Sequence, residues 1–200
     1  MNNPKIIFID WHKTLSNSFF WSGNLKYSDV FFKHNRELIN PWMRGEYTAE
    51  EVCKILSDQN NFDFDDVLKS LRESCGRMTF VSDKIPELIK NIRSKGIKVI
   101  VATDNMDTFS RFTIPELDLK NIFDDFLLSY DLKVLKNDVG ENSIPFFDDY
   151  LNKNSLDYRD CVLLDDSGSS SVYDSLGFKS VMIGNGDELL DVLENILKIN

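Results

Sequence analysis

Four short clusters of reactive side chains recur along the chain, each at the end of an apolar run. Asp10, His12 and Thr14 follow Lys5-Ile-Ile-Phe-Ile. Thr103, Asp104 and Asn105 follow Ile97-Lys-Val-Ile-Val-Ala. Lys133 and Lys136 come after the run that closes at Ser129, and Asp165, Asp166 and Ser167 close Cys161-Val-Leu-Leu. Gathered in one crevice, the carboxylates would repel one another unless a cation sat between them. Oxygen ligands alone suit Mg2+, which keeps waters and takes one or two carboxylates together with a phosphate group. Each cluster also has a plain structural reading. An Asp after a strand often forms a turn, Asp-Asp-Ser before a helix can cap it, and a loop lysine is usually solvated. The chemical reading rests on all four clusters falling in order at successive run ends.

The apolar runs predict five strands, at residues 5–10, 97–103, 126–129, 161–165 and 180–183. They lack polar alternation, which suits strands buried on both faces of a parallel sheet. Helical spacing lies between them. Ile85, Leu88, Ile89 and Ile92 share a face before Gly96, and residues 187–198 repeat apolar positions as an amphipathic end helix. Weaker helical patterns cover 142–153 and 169–176. Strands alternating with helices predict an α/β, doubly wound parallel sheet, Rossmann-like in order. In such sheets ligands bind beyond the carboxyl ends of the strands, where the four clusters would stand. Residues 17–80 break the rhythm with helical patterns alone, at 28–39, after the capping box Thr48-Ala-Glu-Glu51, and at 63–75. The chain is therefore expected to divide into an α/β core, 1–16 and 81–200, and an inserted helical cap, 17–80.

Composition excludes other classes. The 200 residues are 42% hydrophobic and carry a formal net charge of -10. An acidic chain without a basic block suits neither nucleic acid nor an anionic membrane. No apolar run approaches the ~20 residues of a membrane helix. Residues 1–10 do not read as a signal peptide, and Cys53, Cys75 and Cys161 share no metal-ligand spacing. Buried, reduced thiols in a cytoplasmic protein are expected.

In these four clusters the chain resembles the haloacid dehalogenase-like superfamily, whose members are mostly Mg2+-dependent phosphatases. Phe8-Ile-Asp10-Trp-His12-Lys-Thr14 is similar to its Asp-x-Asp-x-Thr motif. Val99-Ile-Val-Ala-Thr103 matches its second motif. Lys136, seven residues after Ser129, matches its lysine better than Lys133, and Val162-Leu-Leu-Asp165-Asp166 matches its acidic pair. Trp42-Met-Arg-Gly45-Glu-Tyr-Thr48 looks like sequence of its type-1 helical cap. The resemblance implies that Asp10 is a nucleophile forming an aspartyl-phosphate. It implies a Mg2+ ion held by Asp10, the carbonyl of His12 and Asp166, with Asp165 near or bridged by water. Thr103 would bind phosphate oxygens and Lys136 would offset their charge. Thr14, Asp104, Asn105 and Arg44 are further candidates for binding the substrate, a small phosphorylated molecule. His34, Arg36 and Trp42 of the insert are candidates for reaching the crevice, whereas Trp11, Phe19, Phe20 and Trp21 are expected to pack the hinge.

Four places depart from the pattern, one being Asp104, which follows Thr103 where Asn is frequent. His12 replaces the Asp that moves a proton to and from the leaving oxygen, a task open to imidazole near neutral pH. Lys13 replaces a common glycine. Serines replace the acidic residue downstream of Asp166, within Gly168-Ser-Ser-Ser171. Two other readings follow: a binding or regulatory module with little hydrolysis, and a metal-free dehalogenase. The pair Asp165-Asp166 weighs against the second.

Overall fold

The computed structural model describes residues 4–168 and 171–198. Five strands form one parallel sheet: β1 Ile6–Ile9, β2 Lys98–Thr103, β3 Asp125–Leu128, β4 Cys161–Asp165 and β5 Lys179–Met182. Their spatial order is β3-β2-β1-β4-β5. β1 is central, with Ile7 paired to Val99 on one side and Val162 on the other. The order reverses beside β1, so a crevice opens at its carboxyl end.

The unbroken apolar run of β1 has a direct cause. Ile7 and Ile9 enter one buried cluster, whereas Ile6 and Phe8 enter the other. Successive side chains point to opposite faces, and both faces are covered. Helices Ile85–Ser94 and Gly186–Lys198 cover the first through Ile89, Ile92, Leu189 and Leu193. Helices Pro145–Lys153 and Ser171–Ser175 cover the second, where Phe8, Phe147 and Phe178 pack with ring centroids 4.9–6.1 Å apart.

Between β1 and β2 the described backbone is helical, at Leu25–His34, Ile39–Met43, Ala49–Asn60 and Phe64–Gly76, with a 3-10 turn at Arg36–Leu38. The predicted helix 28–39 is thus two helices. Pro41 lacks an amide proton and fits the first turn of a new helix better than the middle of an old one. The capping box is present: Thr48 Oγ1 accepts from Glu51 N, and Thr48 N donates to Glu51 Oε2 at 2.7 Å. Phe31, Trp42, Val52 and Val67 of this segment belong to the same buried cluster as Val99 and Val101 of the sheet.

The segment between β2 and β3 was not legible as helix. It forms a π-helical turn at Phe109–Thr113 and short helices at Ile114–Glu116 and Leu119–Ile122. Asp107, at its start, ties the helices between β1 and β2 to the segment after β2. Its carboxylate accepts from Trp42 Nε1 at 2.7 Å, from Ala49 N at 3.1 Å and from Arg111 Nη1 at 2.6 Å. Gly45 sets the approach on the other side. At φ +70° it occupies a region glycine favours, and a Cβ there would lie 2.8 Å from the Tyr130 carbonyl oxygen.

No helix among the described residues is long and apolar enough to cross a membrane. The three cysteines are buried and free, and burial pushes each thiol up to about 12.

Asp107→Ala should strand two buried donors, Trp42 Nε1 and Ala49 N, at about 1–3 kcal/mol each. Urea unfolding should show a loss of about 2–4 kcal/mol, while Asp104→Ala, which frees one half-buried amide, should lose less.

Candidate active site

Asp10 leaves the end of β1 with its amide still in the ladder, donating to Leu164 O at 2.9 Å. Asp165 is the last residue of β4. The two carboxylates therefore stand side by side where the sheet reverses. Lys136 enters from the loop after β3. Its Nζ lies 2.8 Å from Asp10 Oδ1 and also donates to Asp165 Oδ2. Its backbone is pinned as well: Lys136 N donates to Asp104 Oδ1 at 3.0 Å, and Tyr173 Oη donates to Lys136 O at 3.0 Å. Lys133, the other candidate, holds its ammonium over the Tyr130 ring at 4.4 Å instead.

Asp10, Asp165 and Lys136 are 4%, 1% and 7% exposed, so charge is hard to hold there without partners. Burial raises the Asp10 carboxyl above its ordinary range, and Lys136 only partly opposes it. Burial would also raise Asp165, but Lys136 and the Ser167 hydrogen bonds outweigh it and hold that carboxyl low. Burial disfavours the Lys136 ammonium, yet the charges of Asp10, Asp165 and Asp104 overcome this and raise its pKa. Burial lifts Asp104 to about 6.

Asp166 is less enclosed, with Lys13 Nζ 3.7 Å from its Oδ2. One carboxylate oxygen from each of Asp10, Asp165 and Asp166 lies within 4.8 Å of the others. Four carboxylates, counting Asp104, thus face two ammonium groups. Thr14 and Thr103 are fully buried nearby, and neither hydroxyl has a hydrogen-bond partner among the described residues. Thr103 is close enough to Asp10 to favour its charged form.

The turn after β1 explains the spacing of the first cluster. Leu15 N donates to Asp10 O at 3.3 Å and Ser16 N to Trp11 O at 2.8 Å. Lys13 has φ +59°, a left-handed conformation in which a side chain costs energy and glycine does not. His12 is exposed and lines a cavity of about 210 Å³ with Asp104 and Asn105. Ser129 fixes the second cluster: its Oγ accepts from Asn105 N at 2.9 Å and donates to Asn105 O at 3.1 Å.

Some expectations need correction. Arg44 is engaged by another carboxylate: its guanidinium grips Asp138 through both Nη atoms, and Asp138 also accepts from Leu135 N. Trp42 is completely buried on Asp107. His34 and Arg36 are exposed and line no part of the cavity beside His12. Trp11, Phe19 and Phe20, expected to be hinge packing, also line that cavity, and Phe20 packs at the same time on the Trp42 ring at 5.8 Å. Of the serine run after Asp166, residues 169 and 170 lie outside the described residues. Ser167, Tyr173 and Ser129 went unassigned in the sequence; only the Ser129–Lys136 spacing hinted at one of them.

No protein-family model and no curated protein matches the sequence. Solved structures do match the fold. A predicted HAD-like family hydrolase from Porphyromonas gingivalis superposes with a TM-score of 0.75 at 13% identity, over 99% of this chain and 100% of that one. A HAD family enzyme from Bacteroides thetaiotaomicron, in complex with magnesium and inorganic phosphate, gives 0.67 at 15% identity over 90% and 93%. A dehalogenase with an intermediate complex gives 0.63 at 12% identity over 99% of both chains. The fold is that of the haloacid dehalogenase-like hydrolases, a five-stranded parallel sheet flanked by helices.

Two predictions test these local balances. Removing the shared ammonium by Lys136→Met leaves two buried carboxyls with folded pKa values above the unfolded reference of about 3.9. The folded variant then binds protons more readily than the unfolded one, so its stability falls as pH rises. Chemical denaturation should show a loss of about 3–5 kcal/mol at pH 8 and a clearly smaller one near pH 4.5. Lys13→Gly should relieve the left-handed strain and raise stability by about 1 kcal/mol. Its exposed ion pair with Asp166 adds little to offset that.

Proposed function

We propose that the chain is a Mg2+-dependent phosphatase of a small phosphorylated molecule, acting through an aspartyl-phosphate on Asp10. The observation that carries this reading is the buried Asp10–Lys136–Asp165 clasp, with an Asp166 oxygen within 4.8 Å, at the sheet's reversal point. The magnesium and phosphate bound by the similar Bacteroides enzyme support it.

The residues fit the ion. They offer hard oxygen donors only, in excess over the local cations. Asp10, Asp166 and the His12 carbonyl would hold Mg2+, with Asp165 reserved for Lys136 or joined through water. The ion would supply charge neutralisation for the nucleophile and the phosphoryl oxygens.

The chain's own residues supply the rest. An Asp10 carboxylate oxygen attacks phosphorus in line as the ester P–O bond breaks. Lys136 offsets the negative charge on both partners, in a site dry enough for that charge to count. Thr103 and Thr14, with hydroxyls that lack partners among the described residues, donate to the phosphoryl oxygens. His12 gives a proton to the departing alkoxide and then takes one from the water that cleaves the acyl phosphate. Water's oxygen goes to phosphorus, and the Asp10 carboxylate is restored. Asp104 holds the Lys136 amide in place, and Asn105 anchors the same loop on Ser129.

A metal-free dehalogenase would gain nothing from three carboxylate oxygens gathered at one point. A binding module would not need the buried lysine aimed at Asp10. Phosphate release from an aryl phosphate should require Mg2+, stop with EDTA and fall at least about a thousandfold in Asp10→Asn. Activity that survives EDTA contradicts the proposal. His12→Asp should preserve or raise turnover and flatten the acid limb of the pH profile; a thousandfold loss would give the imidazole a task the carboxylate lacks.

A further inference from the structure

The cavity beside His12 is apolar where a phosphatase of sugars or nucleotides would need polar contacts. It measures about 210 Å³, and Phe19, Phe20, Phe32, Met43, Met78 and Met106 line it. His12, Asp104 and Asn105 line it too, and they adjoin Asp10 and Thr103 in the chain, so the cavity abuts the acidic cluster.

Two further observations concern charge and exposure. No lysine or arginine is among the described residues lining it. The nearby cations are engaged: Arg44 on Asp138, Lys133 over the Tyr130 ring and Lys13 near Asp166. Phe19 and Phe32 are 41% and 36% exposed, although most large apolar side chains are buried. They pack edge to face at 6.2 Å, and both line the cavity. Exposed aromatic surface at the mouth of a cavity marks a place where apolar matter is received.

Resting on the phosphatase reading, we infer that this cavity takes the leaving group of the substrate, and that this group is an uncharged, apolar alcohol. An apolar cavity of about 150 Å³ holds a benzene ring, so the size here suits a single ring or a branched alkyl group. The methionines let the wall adapt to its shape. A second anion on the substrate, a carboxylate or another phosphate, would meet Asp104, while Lys136 and Arg44, the cations nearest to it, are already held by Asp10, Asp165 and Asp138. The cavity thus selects against phosphorylated acids and bisphosphates.

The test compares esters of similar leaving-group chemistry with the Mg2+-loaded protein. Benzyl phosphate should exceed 2-phosphoglycolate at least tenfold in kcat/KM. Benzylphosphonate should inhibit or bind at least tenfold more tightly than phosphonoacetate. Phe32→Ala, at an exposed position, should raise KM for benzyl phosphate about tenfold with a smaller change in kcat, with the thermal unfolding midpoint measured beside it. Met43→Lys should shift the preference toward 2-phosphoglycolate. Equal use of both esters by the wild type overturns the inference and leaves the phosphatase reading standing. Tight benzylphosphonate binding without turnover of any ester supports the cavity's role and overturns the phosphatase reading. Failure of both phosphonates to bind and of both esters to react overturns the two together.

Discussion

One buried ammonium governs the site. Lys136 lies between Asp10 and Asp165, and each of the three is nearly sealed from water. Two carboxylates at that depth do not share a position without a cation, because their repulsion and desolvation both disfavour charge. The ammonium lowers Asp165 and leaves Asp10 raised. Asp165 also accepts from Ser167 N and Oγ, so its charge is met by more donors than the charge of Asp10, which is left to be balanced. A divalent ion and an anionic group arriving together would satisfy it.

The fold supplies this arrangement by topology. The strand order reverses beside β1, so β1 and β4 deliver their last residues to the same point. β3 is two strands away, yet its following loop returns Lys136 to the centre, held by Asp104 from the β2 end and by Tyr173 from the helix after β4. Four strand ends are thus tied through one lysine backbone and side chain. The helical segment between β1 and β2 is moored to the same end by Asp107, and it brings Phe19, Phe20 and Phe32 over the crevice.

The strands and the clusters at their ends were legible because both depend on local pattern. An unalternating run such as Ile6–Ile9 can satisfy both faces of a sheet, and a carboxylate at its end has few other uses when four such ends agree. The pairings across the insert were not legible. Arg44 reads as a substrate ligand until Asp138, far along the chain, occupies it. Trp42 reads as a lining residue until Asp107 takes its indole proton. Such contacts are set by tertiary approach and leave no spacing in the sequence. The π-helical turn at Phe109–Thr113 was hidden for a related reason, since a few residues around Pro115 carry no helical period. Phe19 misled in the opposite sense. Aromatic residues usually fill cores, as Phe20 does against Trp42, and only the exposure of Phe19 separates a cavity rim from a hinge.

The central claim is that Asp10 accepts the phosphoryl group. Acid quenching during turnover, followed by borohydride reduction and peptide mass spectrometry, reads this directly, because an acyl phosphate is reduced to an alcohol. The account predicts conversion of Asp10 to homoserine, dependent on Mg2+ and substrate. Turnover with an unmodified Asp10, or with the modification on Asp165 or Asp166, would contradict it.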